Sequence, residues 1–279
     1  MLRNRHTYRR TLIPLAFVVL LLVIATPSAF AASSSYSHRF MLVGPKSRYL
    51  ALGNSLAFGF QPNLNFSHGY ADDFMSNLSQ HGVKHLANMG CPGETSSTFI
   101  NGGCPYPFLR KFPYIGPQLA AAVAYLRFYR GQVSPVTLDI GANDLQADFN
   151  TSTCAISSSF SSDLATVDAN VKTILTQLQA AMTVNGQMTG DIVMMNYYDP
   201  YQNICPDTVP DIQLLNQHLA SDVQGFGIIV DVFGPFGGAG VPNNNICAYT
   251  WMCSIFKDIH ATNAGYSVIA NAFENGTGY

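Results

Sequence analysis

Charged residues are scarce in this sequence of 279 residues, and neither sign of charge dominates it. They make up 11% of the chain, whereas hydrophobic residues make up 48%. Disordered proteins show the opposite balance, so the composition indicates a globular chain with a sizeable core, enough for one large domain or two small ones. Because Lys and Arg are not in excess, we expect neither nucleic acid nor an anionic membrane as a partner.

Long apolar runs are also missing. A transmembrane helix needs about 20 apolar residues, but the longest run here, residues 12–25, has 14. Four arginines precede it and the small-residue pattern Ala29-Phe30-Ala31 follows it. This order predicts a secretory signal peptide over residues 1–31, with an uncleaved N-terminal anchor as the alternative. Cleavage would leave 10 Lys and Arg against 16 Asp and Glu, a net charge of −6, on a secreted chain without a stable membrane anchor.

The sequence has no CxxC pair and no Cys/His cluster with the spacing of metal ligands, so we expect no metal and no other cofactor. Six cysteines nevertheless follow the predicted signal peptide: Cys91, Cys104, Cys154, Cys205, Cys247 and Cys253. An even number in an exported protein favours disulfides, and six cysteines allow fifteen pairings. Nearness along the chain favours Cys91–Cys104 and Cys247–Cys253, which leaves Cys154–Cys205.

Short apolar runs alternate with longer stretches of helical periodicity. Strands are predicted at residues 48–53, 83–89, 136–141, 191–197 and 227–233, and helices at 70–81, 118–129, 161–184, 211–224 and 263–273. Near-continuous apolar runs are typical of strands that are covered on both faces. The alternation therefore predicts an α/β fold with a parallel sheet of about five strands and helices on both sides.

Polar motifs follow three of these strands and precede the last helix. Ser55 follows the first strand, "NMGCPGETS" begins at the end of the second, and "GANDL" follows the third. Ligands bind at the carboxyl ends of the strands in such sheets. A serine, an Asn after a glycine and a C-terminal His, here His260, are the components of a nucleophilic acyl-transfer site.

Four segments, in this order, resemble the motif blocks of the SGNH/GDSL hydrolase family: "ALGNSLAFG", "NMGCPGETS", "GAND" and "DIHATNAGYSVIA". The resemblance spans residues 48–275. It implies a flavodoxin-like three-layer α/β/α hydrolase domain over residues 48–279, after a linker at 32–47. It also implies hydrolysis of carboxylic esters, in the manner of an esterase or lipase.

The same resemblance assigns roles to the matching positions. Ser55 matches the nucleophile and His260 the general base. The backbone N–H of Gly93, the side-chain amide of Asn143 and the N–H of Ser55 itself would bind the oxyanion of the tetrahedral intermediate. The expected substrate is a small-molecule or lipid ester, with an acylated glycan as the alternative, and the protein is expected to act as a monomer.

The sequence departs from the family pattern near both ends of the site. The usual GDSL reads GNSL, with Asn54 in place of Asp. Lys257 occupies the position of the usual acid, three residues before His260, and Asp258 is only two residues before it. Either Asp258 orients the imidazole, or a backbone carbonyl does so and the pair is a Ser-His dyad. Asp199, at the end of the fourth strand, is the reserve candidate for the acid, or it contacts the substrate.

Other function classes fit the sequence less well. No G-x-S-x-G elbow surrounds Ser55, as the α/β-hydrolase family would require, and no GxxxxGK[ST] loop follows the first strand. A non-catalytic exported binding domain on a hydrolase frame is the remaining alternative. The presence of the whole set, Ser55, Gly93, Asn143 and His260, argues against it.

Overall fold

The structure is a computed structural model, and it describes residues 41–279. The predicted signal peptide, residues 1–31, and residues 32–40 of the predicted linker lie outside the described residues. Within the described part, no helix combines the length and the apolar character that crossing a membrane would need.

A parallel five-stranded sheet forms the centre of the fold. Its strands are β1 (Arg48–Gly53), β2 (His85–Asn88), β3 (Val133–Asp139), β4 (Ile192–Met195) and β5 (Ile228–Val230). Their order is β2-β1-β3-β4-β5, which is the flavodoxin-like order. All five predicted strands are therefore confirmed.

The third strand begins earlier than the sequence predicted. The predicted strand began at Val136, whereas β3 begins at Val133 and includes Pro135, which cannot donate a hydrogen bond to a neighbouring strand. In the structure the register between β1 and β3 shifts at this point, because Arg48 lies opposite Val133 whereas Leu50 lies opposite Val136. The proline is thus accommodated in an irregular part of the ladder, as prolines within sheets usually are.

In residues 41–279, eight α-helices connect and cover the strands. They are α1 (Ser55–Phe58), α2 (Tyr70–Gln80), α3 (Ser96–Asn101), α4 (Gln118–Phe128), α5 (Phe160–Met182), α6 (Val209–Asp222), α7 (Asn244–Tyr249) and α8 (Asn263–Thr277). The five predicted helices are confirmed, and the three short ones, α1, α3 and α7, were not predicted. The helix α8 continues four residues beyond its predicted end.

The helices form two layers around the sheet. Helix α2 packs against α8, whereas α5 packs against α4 and α6. Right-handed crossovers place α2 on one face and α4, α5 and α6 on the other, because the chain moves outward from β1 to β2 and then back across the sheet. The β1 and β3 strands lie at this switch of direction, and a crevice opens there at the carboxyl ends of the strands.

The described end of the predicted linker is attached to the domain. The backbone N–H groups of Val43 and Gly44 donate to the Asp191 carboxylate at 2.7 and 2.8 Å. The hydroxyls of Ser134 and Tyr279 contact the same carboxylate at 3.3 and 3.1 Å. Asp191 precedes β4 and is fully buried. It therefore joins both ends of the described chain at the amino end of the sheet.

All six cysteines are paired as the sequence predicted. The disulfides are Cys91–Cys104, Cys154–Cys205 and Cys247–Cys253. The carboxyl of Glu94 lies within 4.8 Å of the first pair of sulfurs, but these sulfurs are bonded to each other. That group of three residues is therefore a disulfide beside a buried acid rather than a set of metal ligands.

Candidate active site

Ser55 begins α1 immediately after the first strand, and the side chain of Asn54 shapes the turn between them. The Oδ1 atom of Asn54 accepts a hydrogen bond from the Leu56 N–H at 2.9 Å, which caps the short helix. Its Nδ2 donates to the Tyr197 hydroxyl at 3.2 Å. The asparagine thus bonds the local backbone at the position where the family usually has Asp.

A buried carboxyl lies beneath the same turn. Asp139, the last residue of β3, accepts hydrogen bonds from the N–H groups of Asn54 and Ala57 at 3.3 and 3.4 Å, and from the Tyr70 hydroxyl at 2.8 Å. Burial raises its pKa to about 8, despite these hydrogen bonds. Gly53 has a φ of +135°, and a Cβ there would overlap the Asp139 carbonyl oxygen. Only glycine lets the strand pass this close.

His260 connects Ser55 to Asp258. Its Nε2 atom lies 2.8 Å from the Ser55 Oγ, and its Nδ1 atom lies 2.6 Å from the Asp258 Oδ1. Burial acts to raise the pKa of Asp258, but the hydrogen bonds and charge of His260 outweigh it and hold that pKa below its usual value. The Phe60 ring packs on the imidazole with the ring centres 4.6 Å apart. These contacts form the hydrogen-bonded chain of a nucleophile, a base and an orienting acid.

The loop before His260 explains how Asp258 reaches the ring from only two residues away. Lys257 adopts a left-handed conformation with a φ of +47°. The Asp258 Oδ1 then also accepts the backbone N–H of His260 at 2.9 Å. The Tyr198 hydroxyl holds the following turn by donating to the Ile259 carbonyl at 2.8 Å.

The two residues predicted to bind an oxyanion lie in adjoining loops. Asn143 lines the same cleft as Ser55 and His260. Its Nδ2 donates to the carbonyl of Glu94 at 2.9 Å, which leaves its second N–H for another acceptor. Gly93 precedes Glu94 and has a φ of +78°, but it is not among the described residues that line the cleft.

The cleft beside Ser55 has a cavity volume of about 70 Å³ and is partly open to solvent. Most of its wall is aromatic or aliphatic, and the residues concerned include Phe149, Tyr197, Tyr198, Tyr201, Ile212 and Ile259. An ester carbonyl at Ser55 would therefore have a mostly apolar wall beside it.

Two acidic residues considered from the sequence have other roles in the structure. Asp199 accepts the Tyr201 N–H at 2.8 Å and the Thr208 hydroxyl at 2.6 Å. It shapes its own loop, so the reserve assignment as the acid was wrong. Asp144, in the segment "GANDL", binds the N–H and the hydroxyl of Ser96 at 2.8 and 2.6 Å. It therefore caps α3 from the neighbouring loop.

Sequence reasoning missed three buried polar side chains around the site: Glu94, Gln118 and Asp139. Asp139 carries a signal that could have been used, because it is an acid inside the strand predicted over residues 136–141. Gln118 begins a helix 65 residues away from its backbone partner Gly53, with nothing in the local pattern to connect them.

Comparison with known proteins bears on the fold and on the family of the chain. No curated protein matches the sequence. A lipase from a goat rumen metagenome is 16% identical, with a TM-score of 0.57 over 82% of this chain and 96% of its own. An acetylxylan esterase from Geobacillus stearothermophilus is 14% identical, with a TM-score of 0.54 over 86% of this chain and 97% of its own. These similarities show a shared three-layer fold.

The family itself is identified by sequence over most of the domain. The model of the GDSL-like lipase/acylhydrolase family matches residues 51–268, a range that contains Ser55, Gly93, Asn143 and His260. The chain therefore belongs to the GDSL-like lipase/acylhydrolase family and is a carboxylic ester hydrolase.

Proposed function

We propose that the protein is a secreted serine esterase that acts through an acyl-enzyme intermediate. The observation that carries this proposal is the chain of contacts from Ser55 Oγ through His260 to Asp258, at the wall of an apolar cleft. A serine hydroxyl is a weak nucleophile until a base takes its proton, and His260 Nε2 lies at hydrogen-bond distance for that transfer.

In the first half of the reaction, Ser55 Oγ attacks the ester carbonyl carbon and its proton passes to His260 Nε2. The carboxylate of Asp258 stabilises the imidazolium through Nδ1. Collapse of the tetrahedral intermediate breaks the bond to the leaving alcohol, which receives the proton from His260. Water then attacks the acyl-serine with His260 again as base, which releases the acid and restores Ser55.

The negative oxygen of both tetrahedral intermediates needs donors that are in place beforehand. The candidates are the N–H groups of Ser55 and Gly93 and the second amide N–H of Asn143. The bond from Asn143 to the Glu94 carbonyl supports this assignment, because it fixes the amide beside the Gly93 loop. Removing one such donor typically costs about 10²–10³ in rate.

The apolar wall of the cleft supports a lipid-like or other apolar ester as the substrate. The rings of Phe149, Tyr198 and Tyr201 offer contact to an acyl chain or an aromatic group. A glycan O-acetyl esterase is the alternative, and such an enzyme would favour acetyl over longer acyl groups. One chain supplies all the residues named, so the proposal needs no partner subunit.

Export is supported by the three disulfides, because such bonds persist in oxidising compartments and are rare in the cytosol. The predicted signal peptide would direct the chain there. Mass spectrometry of the mature secreted protein is expected to find an N-terminus near residue 32 and no free thiol.

The test is release of p-nitrophenol from acetyl, butyryl and longer p-nitrophenyl esters by the wild type and by Ser55→Ala. We expect activity in the wild type, also in the presence of a chelator, and its loss in the variant. A preference for butyryl or longer chains would agree with the apolar cleft, and an acetyl preference would favour the glycan alternative. Activity that survives in Ser55→Ala would overturn the mechanism. A folded wild type that is inactive on all these esters would leave either a narrow natural substrate or a binding domain on a hydrolase frame.

A further inference from the structure

Gln118, the first residue of α4, is buried and pairs with the backbone of Gly53 in both directions. The Gly53 N–H donates to its Oε1 at 2.7 Å, and its Nε2 donates to the Gly53 carbonyl at 2.9 Å. The register of β2 with β1 extends only to Ala51 and Asn88. The Gly53 carbonyl also accepts the Cys91 N–H at 3.0 Å, just beyond β2. The glutamine amide therefore supplies the acceptor for the Gly53 N–H and a second donor to its carbonyl, two residues before Ser55.

The same amide also reaches the loop that carries Gly93. Its Nε2 donates to the Glu94 Oε2 at 3.0 Å. Glu94 as a residue is 1% exposed, and its Oε1 has no hydrogen-bond partner in the described chain. Gln118 is thus a principal polar contact of a buried acid, and the carbonyl of that acid holds the amide of Asn143.

These contacts form one path from the nucleophile turn to the oxyanion donors. It runs from Gly53 through Gln118 to Glu94, and from Glu94 to Asn143. Distance matters along this path because the oxyanion is bonded to the carbon that Ser55 attacks. Donors must lie about 2.7–3.1 Å from that oxygen, and an error of about 1 Å in placement can cost about 10²-fold in rate.

We propose that Gln118 is a positioning residue for ester hydrolysis, which sets the separation between Ser55 and the oxyanion donors by bonding both Gly53 and Glu94. This inference rests on the proposed function of the same site. Gln118 itself contacts neither the substrate nor the reacting atoms. Its removal should therefore affect the transition state more than the binding of substrate.

The first variant is Gln118→Leu, which keeps similar volume and removes all three hydrogen bonds. We expect kcat for the best p-nitrophenyl ester to fall by about 10–100-fold while KM stays within about threefold. Phenylboronic acid, which bonds to a serine hydroxyl and presents an oxyanion, should be bound more weakly by a similar factor.

Gln202→Leu is the matched control. Gln202 is also a buried glutamine, and its Nε2 donates to the carbonyls of Gly238 and Gly240 at 3.2 and 2.7 Å. Its loss should lower Tm without changing kcat by more than about twofold, because its partners lie outside the path from Gly53 to Asn143. A loss of kcat as large as that of Gln118→Leu would show a general structural effect and would overturn the proposal.

If Gln118→Leu does not fold, a rescue experiment tests whether Gln118 is a positioning residue. Gln118→Glu removes the donor and places two carboxyl groups together, and adding Glu94→Gln restores a donor between positions 94 and 118. We expect kcat of the double variant to be at least tenfold higher than kcat of Gln118→Glu alone. Absence of rescue, or a folded Gln118→Leu with kcat within twofold of the wild type, would overturn the proposal. Failure of the proposed function would be seen separately, as activity that persists in Ser55→Ala.

Discussion

Asp258 contacts His260 twice through one oxygen atom, which accepts the backbone N–H at 2.9 Å and lies 2.6 Å from the ring Nδ1. The carboxylate therefore fixes both the turn of the loop and the orientation of the imidazole. This double contact bears directly on whether the site works as a triad or as a dyad.

We predict that Asp258→Asn lowers kcat by about 10²–10⁴-fold, because the amide can favour the wrong tautomer of His260 and does not stabilise the imidazolium. Steady-state kinetics on a p-nitrophenyl ester near pH 8 would measure this, with circular dichroism as a control for folding. Near-full activity in Asp258→Ala would instead indicate a dyad.

Because the pKa of Asp258 is lowered in the folded protein, its contribution to stability is present above the usual pKa of Asp and is lost as the pH falls through the lowered value.

Lys257 provides the second prediction, since its φ of +47° lies in the region that favours glycine. A left-handed conformation costs an ordinary residue about 1–2 kcal/mol, and a β-branched residue fits it worst. Lys257→Gly should keep kcat within about twofold, whereas Lys257→Val should lower both Tm and kcat by displacing Asp258. Lys84→Val, at an exposed position with an ordinary φ, is the control. Equal behaviour of the two valine variants would contradict the prediction.

Asp139 should make the stability depend on pH. Its pKa of about 8 in the folded protein lies above the usual Asp value, so folding takes up a proton between about pH 4 and pH 8. The free energy of unfolding should therefore fall as the pH rises across this window. Asp139→Asn, which mimics the protonated carboxyl, should remove this slope. The measurement is the difference between Tm of the variant and Tm of the wild type at each pH. We expect this difference to increase by roughly 5–10 °C from pH 5 to pH 8. A difference that stays constant with pH would contradict the prediction.

Tyr198 supports the loop of His260 from the cleft wall. Its hydroxyl donates to the Ile259 carbonyl at 2.8 Å, and its ring stacks on Phe236 with centres 4.3 Å apart. Tyr198→Phe keeps the stack and removes the hydrogen bond, so kcat should fall by about 3–10-fold, the range of one net hydrogen bond. Tyr249→Phe, on a ring that also packs against Phe236, is the control and should leave kcat unchanged. Equal kinetics for the two variants would show that the Ile259 contact does not position the base.

The sequence predicted the elements whose signal is local. Apolar runs marked all five strands, and polar motifs at their ends indicated which edge of the sheet holds Ser55 and Asn143. Asp258 could be named as a candidate acid, but its geometry depended on the left-handed turn at Lys257, which no pattern in the sequence indicates. The start of β3 was missed because Pro135 argues against a strand unless the ladder is irregular there.

The polar support of the site was harder to predict for a different reason. Gln118 meets Gly53, and Asp144 meets Ser96, only after the sheet has brought distant segments together. Side chains that replace missing strand or helix partners carry no periodicity of their own. They can be found once the unpaired backbone groups at strand ends and helix starts are known.

The attachment of Val43, Gly44 and Tyr279 to one carboxylate brings the two ends of the domain to the side opposite the cleft. A solid support or a fused carrier joined at either end would therefore stand away from the mouth through which esters enter. The same proximity would let a short peptide join the two ends, with new termini opened in an exposed loop elsewhere. The domain is in this sense suited to immobilisation and to circular permutation with its catalytic edge left free.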